Sequence, residues 1–296
     1  MKIVLALALV LPALADATHA RTAPVAAQEK SPAAVERLAA WPKPADKDVL
    51  LTDIERLVKA RLPEMERQAR AALEAAGASA VPFLLDRYGK ERDDAARERL
   101  HEVLLVTTDA AQTRLLAKEF DDKSALTRTF ALWRAAAFPD QELLAPAEAA
   151  LARVAKLGDK AGPDEAYAAA LCATAAGSLK GLPQMWTAAL DVTGKREPEI
   201  RVALDSVRGE EASRFVMERV KDGQRKEKVA ALNLLAGCGD SSTIAFVKPF
   251  LDDSDNSLRV AAINALRGIV DGEPPLAQLP VFEAIELAKK WKEKLL

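Results

Sequence analysis

Few side chains in this sequence are suited to chemistry. The chain holds two histidines and two cysteines in 296 residues, and only His101 lies in its body, behind Arg99-Leu100. A zinc site takes three or four His, Cys or carboxylate ligands, and no second His or Cys stands at ligand spacing from His101. Ser/His/Asp or Cys/His catalysis would need the same imidazole, with nothing to place a nucleophile beside it. His101 therefore reads as a surface or groove histidine. Cys172 and Cys238 read as free, poorly reactive thiols, since unpaired cysteine packs as a small hydrophobe. The repeat register derived below puts them two units apart, beyond the roughly 7 Å between Cα atoms that a disulfide spans.

The acidic residues offer little more. Asp252-Asp253-Ser254-Asp255-Asn256-Ser257 suggests calcium, but an EF-hand loop wants Gly sixth and Glu twelfth. Counted from Asp253, those places hold Leu258 and Asn264. The run reads instead as a helix cap through Asp255 or its polar neighbours. Asp121-Asp122 and Glu210-Glu211 stand at helix boundaries, where the macrodipole favours acids. Gly237-Cys238-Gly239-Asp240 is a turn and not a phosphate loop. Trp133, Trp186 and Trp291 fall on apolar helical stripes and read as core. Lys289, Lys290, Lys292 and Lys294 cluster near the C-terminus, where cations complement a helix dipole; an anionic surface is the alternative. With a net charge of −2 and a pI near 5.9, the chain lacks the basic excess that drives nucleic-acid binding. The expectation is a protein with no catalytic residue, metal or cofactor.

The elements that must position these groups are helices. Hydrophobic residues make up 50% of the chain but aromatics only 5%, so the core must be aliphatic. Alanine and leucine alternate with Glu, Lys and Arg, the residues that lose least side-chain entropy in a helix. No stretch alternates with period two for long enough to suggest a strand. The pattern predicts first helices over 52–74, 93–106, 125–137, 163–176, 197–208, 225–236 and 256–270. Second helices are predicted over 78–89, 109–120, 140–157, 181–191, 210–222, 240–252 and 279–294. Thr52 and Glu55 form a capping box that opens the series.

The N-terminus reads differently. Lys2, the apolar run Ile3–Leu11 and the Ala13-Leu14-Ala15 site make a secretory leader over 1–15, with cleavage after Ala17 or Ala20 as alternatives. The apolar run meets Asp16 too soon to span a membrane. An Ala/Pro-rich tether follows over 16–48, in which Ser31-Pro32 caps a short helix ending at Trp41. The mature protein is expected in the periplasm or an equivalent exported compartment.

Internal similarity pairs the helices into units of roughly 35 residues, a length typical of helical solenoids. Val229-Ala230-Ala231-Leu232-Asn233-Leu234-Leu235-Ala236-Gly237 recurs as Val260-Ala261-Ala262-Ile263-Asn264-Ala265-Leu266-Arg267-Gly268, 31 residues on. Val202-Ala203-Leu204 ending at Gly209 is a weaker copy. The glycine is expected to close each first helix in a left-handed conformation. An Asp six residues before a basic residue also recurs, as Asp122/Arg128, Asp222/Lys228 and Asp253/Arg259. On these features the chain over 52–296 resembles the HEAT-repeat family, although Lys195 replaces the Asp before Arg201. The resemblance implies an all-α solenoid of about seven antiparallel helix pairs, with those Asp–basic pairs forming a ladder between repeats. The expected function, on which the resemblance itself says little, is a non-enzymatic scaffold whose second helices line a concave surface that grips a protein partner. Arg114, Lys118, Gln184, Arg214 and Lys221 are the expected contacts, on a monomer without a membrane span. An enzyme of lyase or DNA-repair type on the same fold, and an envelope binder using the C-terminal lysines, are the alternatives.

Overall fold

The computed structural model describes residues 37–190, 196–220, 223–276 and 278–296. The leader at 1–15, the tether up to residue 36, Lys195, Lys221 and Asp222 lie outside the described residues. The structure is all-helical, 77% helix in fifteen α-helices and the short 3-10 and π turns between them, with no strand among the described residues. No helix among them is long and apolar enough to cross a membrane.

The chain enters at Arg37 without helical structure, so the expected helix does not reach Trp41. This stretch is tied down: the Leu38 amide donates to the Ala111 carbonyl at 2.9 Å, and Trp41 packs on the core. Helix α1 (Lys47–Val58) starts five residues before the expected Thr52 because Asp46 caps it, accepting from the amides of Asp48 and Val49. Thr52 instead donates to the Asp48 carbonyl inside the helix. The single helix expected over 52–74 is two, since Pro63 lacks the amide that would continue the first. Proline suits an opening turn, and Pro63 begins α2 (Pro63–Ala76).

From there the elements follow the predicted segments closely. They are α3 (Val81–Lys90), α4 (Asp94–Thr107), α5 (Thr113–Leu116), α6 (Ala125–Ala136), α7 (Leu144–Leu157), α8 (Pro163–Ala175), α9 (Leu182–Ala189) and α10 (Glu197–Asp205). Then come α11 (Glu210–Glu218), α12 (Arg225–Cys238), α13 (Ile244–Val247), α14 (Asn256–Leu266) and α15 (Val281–Lys294). Four of the second helices open through a short 3-10 turn capped by the same device. Asp109, Asp140, Ser178 and Asp240 each accept from the amide two residues on, which satisfies an orphan donor of the helix start.

Packing is sequential. Helix α6 lies on α8, α8 on α10, α10 on α12, α12 on α14 and α14 on α15. Contact between successive second helices α5, α7, α9, α11 and α13 is far sparser, α9 and α11 touching most. Helix α8 is buried on nearly every side, from Tyr167 through Ala175, which explains its lack of a polar face.

Two of the repeated glycines have a different role from the one expected. Neither Gly237 nor Gly268 has positive φ. A Cβ on Gly268 would meet the Ala236 carbonyl oxygen at 2.1 Å, and one on Gly237 would meet Leu204 and the Arg201 carbonyl at 2.9 and 3.2 Å. Each glycine lets its own first helix approach the previous one, a packing requirement and not a cap. Gly209, the weaker copy, does have positive φ, at 145°.

Candidate functional site

The expected Asp–basic ladder meets in the structure, but through the main chain. Arg128 Nη1 donates to the Asp122 carbonyl at 2.7 Å, and Arg259 Nη2 to the Asp253 carbonyl at 2.7 Å. The carboxylates turn the other way, Asp122 accepting from the Ser124 amide and Asp253 from the Asp255 amide. Each pair thus braces the turn before its own helix, and Arg128 alone of the two also reaches a later helix, at Glu165 on α8. Lys228 belongs to the third pair, whose Asp222 lies outside the described residues.

Several polar pairs 32 residues apart link successive helical segments. Glu55 meets Arg87 at 3.0 Å, Asp121 meets Arg153 at 3.3 Å, Glu148 meets Lys180 at 2.6 Å and Asp164 meets Arg196 at 3.1 Å. Arg70 pairs with Glu102 at the same separation. The innermost link is Glu165, 3% exposed, which accepts Arg128 Nε and Nη2 at 2.7 and 2.8 Å and Arg153 Nη2 at 2.8 Å. The Arg128 hydrogen bonds, reinforced by Arg153, hold its carboxyl below the usual range against the cost of burial. Sequence inspection for charge complementarity at one repeat length would have found these pairs; the shorter Asp-x5-Arg spacing drew attention away from them.

The densest aromatic and polar cluster joins α3, α4, α6, α8 and α10. His101 is only 7% exposed, which corrects the expectation of a surface or groove residue. Its ring lies 5.4 Å from Phe130, 6.0 Å from Trp133 and 6.0 Å from Tyr88. Neither imidazole nitrogen has a hydrogen-bond partner among the described residues. Burial pushes its pKa down to about 4; Glu102 opposes that shift and Arg134 adds to it. One layer away, Glu199 accepts from Trp133 Nε1 at 2.7 Å and from the Tyr167 hydroxyl at 2.6 Å. Trp133 on α6 thus reaches a residue on α10, past the intervening α8. The Arg196 guanidinium lies 4.1 Å from the centre of the Tyr167 ring. Burial, with Glu199 adding to it, raises the Tyr167 pKa. With both Glu199 oxygens engaged by neutral donors, the arrangement acts as a structural node.

The remaining candidates are similarly committed. Cys172 and Cys238 are free and buried, and burial pushes both thiols up to about 12. Asp255 caps α14 through the Ser257 amide and pairs with Arg225, whose hydrogen bond draws its pKa down to about 2. Among the described residues no group of His, Cys, Asp or Glu could hold a metal ion. Trp291 is buried, and Trp186 is partly buried against the core. Lys289, Lys292 and Lys294 pair with Glu286, Asp252 and Asp271, leaving Lys290 as the exposed lysine of that cluster without a partner among the described residues.

The expected contact residues divide. Arg114 is bound within the chain, to Asp140 at 2.8 Å and Glu142 at 2.6 Å. Lys118 and Arg214 are exposed, Arg214 coming no nearer than 3.9 Å to Glu210, and Gln184 is half-buried. Lys221 lies outside the described residues. Comparison with protein-family models, curated proteins and solved structures returns no match.

Proposed function

We propose that this chain is a non-enzymatic helical scaffold that binds a protein partner in an exported compartment. In this reading the helix pairs continue one another as a HEAT-like α-solenoid of about seven units. The observation that carries it is the series of polar links at a separation of 32 residues. A link recurring at one repeat length is what stacked units require, since each unit contacts only its neighbours. The groups best suited to catalysis are occupied in building that stack: His101 within the rings, Glu165 between arginines, the cysteines in the core.

The binding face is placed on the second helices. Neighbouring helix axes lie about 8–10 Å apart, so α6 and α10 would stand roughly 16–20 Å apart in a flat layer. The 2.7 Å bond from Trp133 to Glu199 spans that distance and ties the first-helix layer together across α8. The sparsely touching second helices form the other face, where Lys118 and Arg214 are exposed.

Affinity capture from the native cell envelope, with identification of the bound protein by mass spectrometry, tests this reading. Lys118→Glu with Arg214→Glu should abolish capture of that protein while helical circular dichroism and the melting transition stay unchanged. Capture that survives both changes but is lost when Lys289, Lys290, Lys292 and Lys294 become glutamine would replace this reading with surface binding through α15.

A further inference from the structure

A cavity of about 380 Å³ at the corner between α1 and α2 is walled by Ala60, Arg61, Leu62, Pro63, Glu66, Arg67, Arg70 and Arg99. Two of its arginines are balanced locally, Arg67 by Glu64 and Arg70 by Glu66 and Glu102. The other two are not. Arg61 is exposed and meets no carboxylate among the described residues. Arg99 bonds only to neutral groups, donating from Nε to the Leu57 carbonyl at 2.9 Å and from Nη2 to the Val58 carbonyl at 2.7 Å. Those bonds hold its guanidinium plane in place, and Nη1 has no partner among the described residues.

The apolar wall is as unusual as the charge. Leu62 is 61% exposed, and the neighbouring Met65 is 43% exposed. The start of α2 is uncapped, because Leu62 supplies no side-chain cap and Pro63 follows it, and Glu64 and Glu66 share that first turn. The amides of the next residues therefore lack an intrahelical acceptor.

We propose that this corner binds an acidic peptide segment of a partner protein, a Glu or Asp carboxylate flanked by an apolar side chain. A carboxylate can take paired hydrogen bonds from a guanidinium fork, and the volume suits a side chain or two. A bare phosphate would satisfy the arginines but leave the Leu62 wall in water. Its exposure therefore selects an amphipathic peptide over a simple anion. This inference rests on the reading of the chain as a protein-binding scaffold, and names the chemistry of one contact.

The test uses the full mature chain and a fluorescent peptide alternating Glu and Leu, titrated by anisotropy. Binding should weaken about tenfold, roughly 1.4 kcal/mol, with Arg61→Glu, and also with Leu62→Ser. The matched charge change Lys160→Glu, on an exposed residue of the 3-10 turn after α7, should leave it unaltered. Peptides with Gln for Glu, or Ser for Leu, should bind weakly. Equal weakening by Lys160→Glu, full binding by the Gln peptide, or displacement of the peptide by millimolar inorganic phosphate alone would overturn the proposal. Envelope capture separates the two ideas. Peptide binding lost to these criteria while Lys118 and Arg214 still govern capture defeats the inference alone. Peptide binding intact with no protein captured defeats the scaffold reading.

Discussion

Helix α6 meets its two larger neighbours in opposite ways. Toward α8 the backbones run close together, and much of the buried surface of both helices is alanine, Ala131, Ala135 and Ala136 on α6 and Ala168, Ala169, Ala170 and Ala173 on α8. Toward α4 the space is filled by the rings of His101, Phe130, Trp133 and Tyr88, and the helices approach through side chains. Alanine gives up side-chain area but brings two backbones into dispersion contact along their length. Charge meets that seam at its rim, where Glu165 joins Arg128 and Arg153. Rings bury more surface per residue, yet this seam includes an imidazole whose two nitrogens find no partner among the described residues. The first interface is close and meets charge at its rim; the second is bulky and sensitive to protons.

The sharpest way to break that contrast is at the rim of the alanine seam. Glu165→Ala leaves two arginines facing each other beside buried surface, and a broken buried pair costs about 3–5 kcal/mol. Urea denaturation at pH 7 measures it, and a loss below about 1 kcal/mol would show that the rim does not hold the seam. Acid should have a related effect. The Glu165 carboxyl is depressed in the folded state, so its contribution is present above the unfolded pKa and lost as pH falls through the folded value.

The aromatic seam should respond at milder pH. His101 titrates near 4 when folded against an ordinary 6.5, so between those values the unfolded chain binds the proton first. Stability from this group therefore falls as pH drops from 6.5 towards 4, by on the order of 3 kcal/mol in all. His101→Phe keeps a ring in place and should remove that slope. The difference between the two proteins, followed by thermal unfolding at several pH values, should widen steadily with acid; a constant difference would mean the imidazole is already solvated.

Smaller effects sharpen the picture. Gly268→Ala forces a methyl against the Ala236 carbonyl, a contact of 2.1 Å if nothing moves, and overpacking of this kind costs about 1–3 kcal/mol. Wild-type stability in this variant would mean that the first helices are free to separate. Smallest is Trp133→Phe, which keeps the ring but removes the donor to Glu199, at about 1 kcal/mol. If the melting temperature is unmoved, the contact past α8 is incidental.

Much of this was legible in the residues. The helical segments from 93 onward lie close to their predicted limits, because a helix is set by neighbours three and four residues away and by caps written beside it. Asp255 was readable as a cap, and the two cysteines as buried thiols, for the same local reason. The first helix was misjudged where a choice between competing caps arose: Thr52 with Glu55 satisfies the capping pattern, but Asp46 begins the helix sooner and Pro63 divides it.

What stayed hidden depends on distances between helices. Nothing beside His101 in sequence announces that Tyr88, Phe130 and Trp133 will enclose it, since those rings come from neighbouring elements. Gly237 and Gly268 follow the sequence rule for a helix end, yet their φ values and neighbours show contact glycines, and only the position of the preceding helix decides between the two roles. The basic corner is likewise divided in sequence between residues 60–70 and Arg99. Local sequence determined where the helices are, because backbone hydrogen bonds within them span four residues. Tertiary structure decided which charges are answered from a distance, because those partners stand 32 residues away and are reached only once the helices have packed.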